Sequence, residues 1–336
     1  MSQNVTLSDI VAAKNRIQPY IRRTPLDFSP FLTKLNENGP NVFLKMESEQ
    51  FSGSFKVRGA YNKLCVLSES DPELKSKGAV AASSGNHALG CTIAMKRLGI
   101  PIQVFTPENV SLAKKKMLEA YDANLVLHGL DVVDTEHEAR RLSEEKGIPF
   151  ISPYNDVDVV AGLGTIGMEI YEDLSEIDAV LVSVGGGGLI SGIASYLKAV
   201  NPNVKVFGCQ PELTKVMYES VKAGKIVFEE SGDTLSDGTK GGIEDDSVTF
   251  ELCRKHVDDW LLVTEEQISE AVYFMLDKHH KVVEGAAGAA VAAYTNNLAL
   301  FSRFSNVAIV ICGANMTSDH LHKIMLKYGS KDKPME

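Results

Sequence analysis

The chain has no pair of cysteines at C-x-x-C spacing. Its five cysteines, Cys65, Cys91, Cys209, Cys253 and Cys312, are odd in number and scattered over 336 residues. That excludes a disulfide-stapled scaffold or a zinc ribbon and fits reduced thiols. Long hydrophobic runs are missing too. The stretches Gly285 to Tyr294 and Val307 to Ala314 fall well short of the roughly 18 residues a membrane span needs. The first residues lack the basic-then-apolar pattern of a leader, so a cytoplasmic protein is expected. Positive charge is scarce: 34 Lys and Arg against 44 Asp and Glu leave a formal charge of −10. Such a molecule repels phosphate backbones and anionic lipid, and neither nucleic acid nor a membrane is the expected partner. No Gly/Ser or Pro linker divides the chain and no repeat is evident, so the halves are expected to share a broad interface.

What is present is an ordinary globular composition, 44% hydrophobic and 23% charged, in a chain long enough for one large or two medium domains. From about Gly78, β-branched runs alternate with amphipathic stretches. Strands are expected at Ala79 to Ala82, Ile102 to Thr106 and Leu125 to His128, with helices through Met95, around Met117 and through Leu142. A second series places strands at Ala179 to Val184, Lys205 to Cys209, Trp260 to Val263 and Val307 to Cys312. Between them, Thr264 and Gln267 form a capping box ahead of Ile268, Ala271, Val272 and Met275 at helical spacing. This grammar predicts an α/β fold with two open, twisted, mostly parallel sheets flanked by helices. The small-residue stretch Gly285 to Ala293 suits close helix packing better than a ligand site.

Three strand-to-helix junctions could carry chemistry. Gly185, Gly186, Gly187 and Gly188, followed by Leu189, join an apolar strand to a helix expected to begin near Ile190. Bare peptide N–H groups at a helix start make a nest for a phosphate. A flexible turn is the plain alternative. The loop lacks the Gly-Lys-Ser/Thr end of a Walker A motif and the third glycine and acid of a dinucleotide fingerprint, which disfavours nucleotides but not a lone phosphate monoester. Ser54-Phe55-Lys56-Val57-Arg58-Gly59 opens a helix, with Lys56 in its first turn. There the macrodipole opposes an ammonium and lowers its pKa, which suits Schiff-base chemistry, though a solvated surface lysine would read the same. Ala82-Ser83-Ser84-Gly85-Asn86-His87 ends a strand and starts a helix, offering hydroxyls, an amide and unpaired backbone donors to a carboxylate, or simply a cap. His87 reads as a general base or as a capping and packing residue. Cys312 should be a deeply placed thiol at the end of the most apolar strand.

These pieces, in this order, resemble the tryptophan-synthase-β-like, fold-type II family of pyridoxal-phosphate (PLP) enzymes, in its serine/threonine dehydratase and serine racemase branch. The resemblance runs from about Thr24 to Asn315. It implies a large PLP-anchoring domain of residues 1–67 plus 155–336, a small mobile domain of residues 68–154, and PLP in the cleft between them. It implies that Lys56 holds PLP as a Schiff base, that Phe55 lies against the ring and that Asn86 bonds the ring hydroxyl. Gly185, Gly186, Gly187, Gly188 and Leu189 would hold the phosphate, and Cys312 would face the pyridine nitrogen. Ser83, Ser84, Gly85, Asn86 and His87 would clasp a substrate carboxylate, and Gly238 would border the substrate side chain.

The implied activity is α,β-elimination of water from a β-hydroxy amino acid such as L-threonine or L-serine, giving a 2-oxo acid and ammonia. A thiol beside the pyridine nitrogen, where other PLP enzymes have an aspartate, favours elimination over transamination. Ser84 keeps serine racemisation open, since it would stand on the face opposite Lys56. A PLP-binding protein without turnover is the remaining reading. The racemase branch usually carries a divalent-cation pattern Glu-Pro-x-x-Ala-x-Asp; here the segment is Gln210-Pro211-Glu212-Leu213-Thr214-Lys215-Val216, so no metal is expected. Glu284 falls where relatives have a glutamate lining the site, and could tune the ring region or cap the next helix. The chain ends at Glu336 without the extra domain of biosynthetic threonine deaminases, so isoleucine feedback is not expected. Relatives are commonly dimers, and a homodimer is expected.

Overall fold

The structure is a computed structural model and describes residues 4–329. Six strands form one sheet: β1 (Leu26–Phe28), β2 (Asn41–Lys45), β6 (Ala179–Ser183), β7 (Lys205–Pro211), β8 (Asp259–Val263) and β9 (Asn306–Val310). Three form another: β3 (Ala79–Ala82), β4 (Ile102–Thr106) and β5 (Leu125–Leu127). The order is β1-β2-β9-β6-β7-β8 in the first and β3-β4-β5 in the second. Every pairing is parallel except β1 with β2. The expected α/β architecture is present, with β1 and β2 added to the expected strands. Their absence from the sequence reading has a physical cause. β1 is three residues long with two of them exposed, so it shows no alternation, whereas β6 is buried at all five positions and reads as a continuous apolar run.

The chain leaves the sheet slightly earlier than expected where it enters the site. β6 ends at Ser183 and β9 at Val310, although Val184 N–H still donates to the Cys209 carbonyl at 2.9 Å and Ile311 N–H to that of Lys45 at 2.9 Å. The following helix begins at Gly188 rather than near Ile190, with Gly187 as its cap at φ 84°. That left-handed conformation is one that glycine adopts without steric cost.

A central helix, Val157–Asp173, packs against both the Lys56–Ser70 helix and the Gly188–Val200 helix. The approach is too close for side chains. A Cβ on Gly162 would stand 2.7 Å from the Arg58 carbonyl oxygen, and one on Gly192 would stand 2.5 Å from that of Val160. The alanine-rich helix Gly285–Thr295 is buried from Gly285 to Tyr294, in keeping with the packing role read for it. Among the described residues no helix is long and apolar enough to cross a membrane.

Candidate active site

Lys56 is the first residue of its helix, and Phe55 the preceding cap. The junction is tied to distant chain: Phe55 N–H donates to the Cys312 carbonyl at 3.1 Å, and Ser54 bridges to Gly313. The Lys56 amine donates to the Pro153 carbonyl at 2.9 Å and lies 5.1 Å from the centre of the Phe55 ring. Burial pulls its pKa down to about 8, against the opposing pull of Cys91, Cys312 and Glu284. The direction is the one expected from the helix start, but loss of water is the leading cause. Gly90 lets a second helix, Asn86–Leu98, come close, since a Cβ there would meet Val57 N at 3.0 Å.

Two residues along the same helix, Arg58 anchors a buried ion cluster. Arg58, fully buried, donates through Nε to Glu47 Oε2 at 2.8 Å, through Nη2 to Glu47 Oε1 at 2.8 Å and through Nη1 to Glu169 Oε1 at 2.7 Å. Lys45 donates to Glu169 Oε2 at 2.6 Å and to the Thr24 carbonyl at 2.7 Å. Burial alone would raise the Glu169 carboxyl, yet Arg58 and Lys45 hold it below its ordinary range. Two cations and two anions cancel, which is what allows them to be buried together.

Among the described residues, the N–H groups of Gly185, Gly186, Gly187, Gly188 and Leu189 donate to no backbone or side-chain acceptor. They open at the start of a 13-residue helix, so donors and macrodipole point the same way. From the other side the loop is pressed by its surroundings. A Cβ on Gly186 would lie 2.5 Å from the Tyr154 ring, and one on Gly185 would lie 2.9 Å from Thr239 Cα. Tyr154 is itself held, its hydroxyl accepting from Glu244 N–H at 3.0 Å.

The Ser83–His87 turn lies between β3 and the Asn86–Leu98 helix. Asn86 heads that helix, and its Nδ2 donates to both oxygens of Glu284 at 2.9 and 3.0 Å. Its Oδ1 accepts from Asn315 Nδ2 at 2.7 Å, and that group also reaches the Ser52 carbonyl at 2.9 Å. Glu284 makes no side-chain cap bond to the helix it precedes; its carboxylate is turned to Asn86 instead. Burial raises its pKa, with Asn86 opposing. Cys312 is buried with Sγ 3.9 Å from Glu284 Oε1, and burial raises its pKa well above the ordinary thiol value. It lies two residues beyond β9 rather than within it. Gly238 faces the same cluster, since a Cβ there would meet Glu284 Oε1 at 3.7 Å. His87 turns away: Nε2 lies 2.8 Å from the Ile151 carbonyl, and burial with nearby Lys56 lowers its pKa to about 3. A neutral ring already committed to a carbonyl is a packing group, not a free base.

The family model described as "Pyridoxal-phosphate dependent enzyme" matches residues 17–313. The chain belongs to the pyridoxal-phosphate dependent enzymes. It is 41% identical over 324 residues to an L-threonine ammonia-lyase of Thermotoga maritima, covering 96% of this chain and 79% of that protein. Among solved structures it is similar to maize serine racemase, with a TM-score of 0.89 at 31% identity over 97% of this chain and 98% of that one. It is also similar to the processed form of threonine deaminase isoform 2 from Solanum lycopersicum, with a TM-score of 0.89 at 33% identity over 96% and 92%.

The residues present fit PLP. Five bare N–H groups suit a phosphate, a lysine amine whose pKa is drawn down to about 8 suits an aldehyde, and a thiol held neutral suits an uncharged ring nitrogen. Sequence reasoning missed three groups around the candidate site. Tyr154 backs the loop, Asn315 fixes the Asn86 amide, and an ion cluster is anchored by Arg58 on the helix that Lys56 begins. Gly186 was a signal for the first, since four consecutive glycines exceed what a turn needs. For Asn315 and the ion cluster the chain offers no local signal, because their partners lie far away in sequence.

Proposed function

We propose that this enzyme removes water from L-threonine or L-serine by α,β-elimination, yielding the 2-oxo acid and ammonia. The observation that carries the reading is the convergence of the partly deprotonated Lys56 amine, the unpaired donors of Gly185 to Leu189 and the Ser83–His87 turn, whose Asn86 lies within one hydrogen-bonded cluster with Glu284. The relatives' names, L-threonine ammonia-lyase and threonine deaminase, support it.

Bound PLP supplies an electron sink for the pair left when Cα loses its proton. The chain's own residues do the rest. Lys56 would hold the coenzyme covalently, and its amine, in the neutral form, would take the Cα proton. Gly185, Gly186, Gly187, Gly188 and Leu189 would hold the phosphate, Asn86 would hydrogen-bond the ring hydroxyl, and Phe55 would lie against the ring. Cys312, kept as a thiol, donates no full charge to the ring nitrogen, which favours prompt loss of the β-hydroxyl. The Ser83–His87 turn would bind the substrate carboxylate through the hydroxyls of Ser83 and Ser84 and the N–H groups of Ser84, Asn86 and His87, the Ser83 N–H being spent on the Phe105 carbonyl at 2.9 Å and the Gly85 N–H on Ser83 Oγ at 3.2 Å, and Gly238 leaves room for the side chain. Residues 1–67 and 155–336 act as the large domain and 68–154 as the small mobile one; residues 1–3 and 330–336 lie outside the described part. The enzyme works in the cytoplasm as a homodimer.

The second reading is serine racemisation, favoured by Ser84 at the head of the turn and by the likeness to maize serine racemase. It requires Ser84 to serve as acid and base on the face opposite Lys56. Borohydride reduction of the holoenzyme, followed by peptide mapping, should place the label on Lys56, and a coupled assay should show 2-oxobutyrate and ammonia from L-threonine. A protein that takes up no PLP, or takes it up without turnover on any hydroxy amino acid, refutes the proposal. Chiral analysis of residual serine tests the second reading: Ser84→Ala should lose racemisation and keep elimination.

A further inference from the structure

Gln210, near the end of β7, is fully buried, and every polar atom of its side chain is used. Nε2 donates to the Val184 carbonyl at 3.1 Å and to the Thr214 carbonyl at 3.4 Å. Oε1 accepts from the Tyr218 N–H at 2.8 Å. The orientation of the amide is forced, because a peptide N–H can only donate and the two carbonyls can only accept. Turned over, the amide would set oxygen against two oxygens and nitrogen against a donor.

The partners matter more than the bonds. Val184 is the residue from which the glycine loop departs. Thr214 donates from Oγ1 to the Thr239 carbonyl at 3.2 Å, and Thr239 closes the short turn Asp237–Thr239 that contains Gly238. Thr239 also touches the loop itself, since a Cβ on Gly185 would lie 2.9 Å from its Cα. One buried amide therefore joins the entrance of the glycine loop to the turn carrying Gly238.

We propose that Gln210 is a positioning residue whose amide N–H takes the place a bound cation could fill between two facing carbonyl oxygens, so that the glycine loop keeps its shape with no metal ion. The inference rests on the loop being the phosphate holder. Replacing the amide by a carboxylate removes the hydrogens and leaves one anionic and two neutral oxygens converging. That is an incomplete ligand set of the kind that Mg²⁺ or Ca²⁺ completes with water. Substitution by leucine removes donor and acceptor together and offers a cation nothing.

The experiment measures PLP affinity of the apo-protein by spectroscopic titration at pH 8, in EDTA and in millimolar Mg²⁺ or Ca²⁺, with circular dichroism as the folding control. The wild-type protein should bind PLP equally in both. Gln210→Glu should bind on the order of tenfold more weakly in EDTA, the scale of one disrupted buried hydrogen-bonding group, and recover most of the loss with Mg²⁺ or Ca²⁺. Gln210→Leu should be weakened and indifferent to either ion; where that variant does not fold, Gln210→Glu decides alone. The proposal is overturned if Gln210→Glu matches the wild type in EDTA, if its loss is not relieved by a divalent ion, or if the wild type itself weakens in EDTA. A wild-type protein that binds no PLP under any condition overturns the phosphate-loop reading instead, so the two failures are told apart.

Discussion

Arg58→Met offers a test of the charge balance in the buried cluster. Methionine fills much of the arginine volume but removes four hydrogen bonds, of 2.8, 2.8, 2.7 and 2.9 Å, from two carboxylates. Lys45 remains bound to Glu169, while Glu47 keeps only the Thr24 hydroxyl. The cluster passes from neutral to a net charge of −1, and breaking a buried pair from one side costs about 3–5 kcal/mol. A ceiling follows from proton uptake. Neutralising an ordinary glutamic acid of pKa about 4.3 at pH 7 costs about 1.36 × (7 − 4.3), or roughly 3.7 kcal/mol, and at pH 5 only about 1 kcal/mol. Urea unfolding of the PLP-saturated protein should therefore show a loss of about 3–4 kcal/mol at pH 7 that shrinks markedly by pH 5, because a proton then does part of the work of the missing guanidinium. Arg58→Met combined with Glu47→Gln should regain much of the loss at pH 7. A loss below about 1 kcal/mol at pH 7, or one that does not change with pH, would refute the claim that charge balance holds this part of the core.

Two further outcomes follow from the site. Gly186→Ala forces a methyl group to 2.5 Å from the Tyr154 ring, an overpacking worth about 1–3 kcal/mol; PLP affinity should fall by roughly tenfold or more, and combination with Tyr154→Ala should restore part of it. Because the Lys56 pKa is drawn down to about 8, its reactive neutral fraction rises about tenfold per pH unit below that value and levels off above it. Stopped-flow capture of PLP by the apo-protein should climb from pH 6 to pH 8 and then flatten. A rate still climbing in proportion up to pH 10 would mean that the amine is an ordinary solvated lysine.

Much of the fold was readable because its central strands are buried on both faces and advertise themselves as apolar runs, as at β6 and β9. β1 was not, being short and mostly wet. The glycine loop was readable from its residues alone, since four glycines at a strand-to-helix junction leave little else for the backbone to do. Lys56 stood out by its place at a helix start, yet the force that shifts its pKa is burial, which depends on Pro153, Cys312 and Glu284 arriving from far along the chain. Glu284 illustrates the limit most clearly. It occupies a helix N-cap position, which local reasoning fills with a capping bond, and its carboxylate instead turns to Asn86, 198 residues away. Arg58 and Asn315 were plainly visible as letters, but their partners belong to the folded chain.

The central helix Val157–Asp173 is pressed by glycines against its neighbours on both sides, so on the proposed reading the fastening of the coenzyme is a property of one stiff body. The helix that bears Lys56 and the helix that begins at the glycine loop are spaced by that single bar, as two jaws are by the frame of a vice. The Ser83–His87 turn hangs instead from the three-stranded sheet. On that reading, substitutions in that sheet can reshape what the substrate meets while the covalent and phosphate anchors stay on the stiff body, with Asn86 the one contact that joins the two.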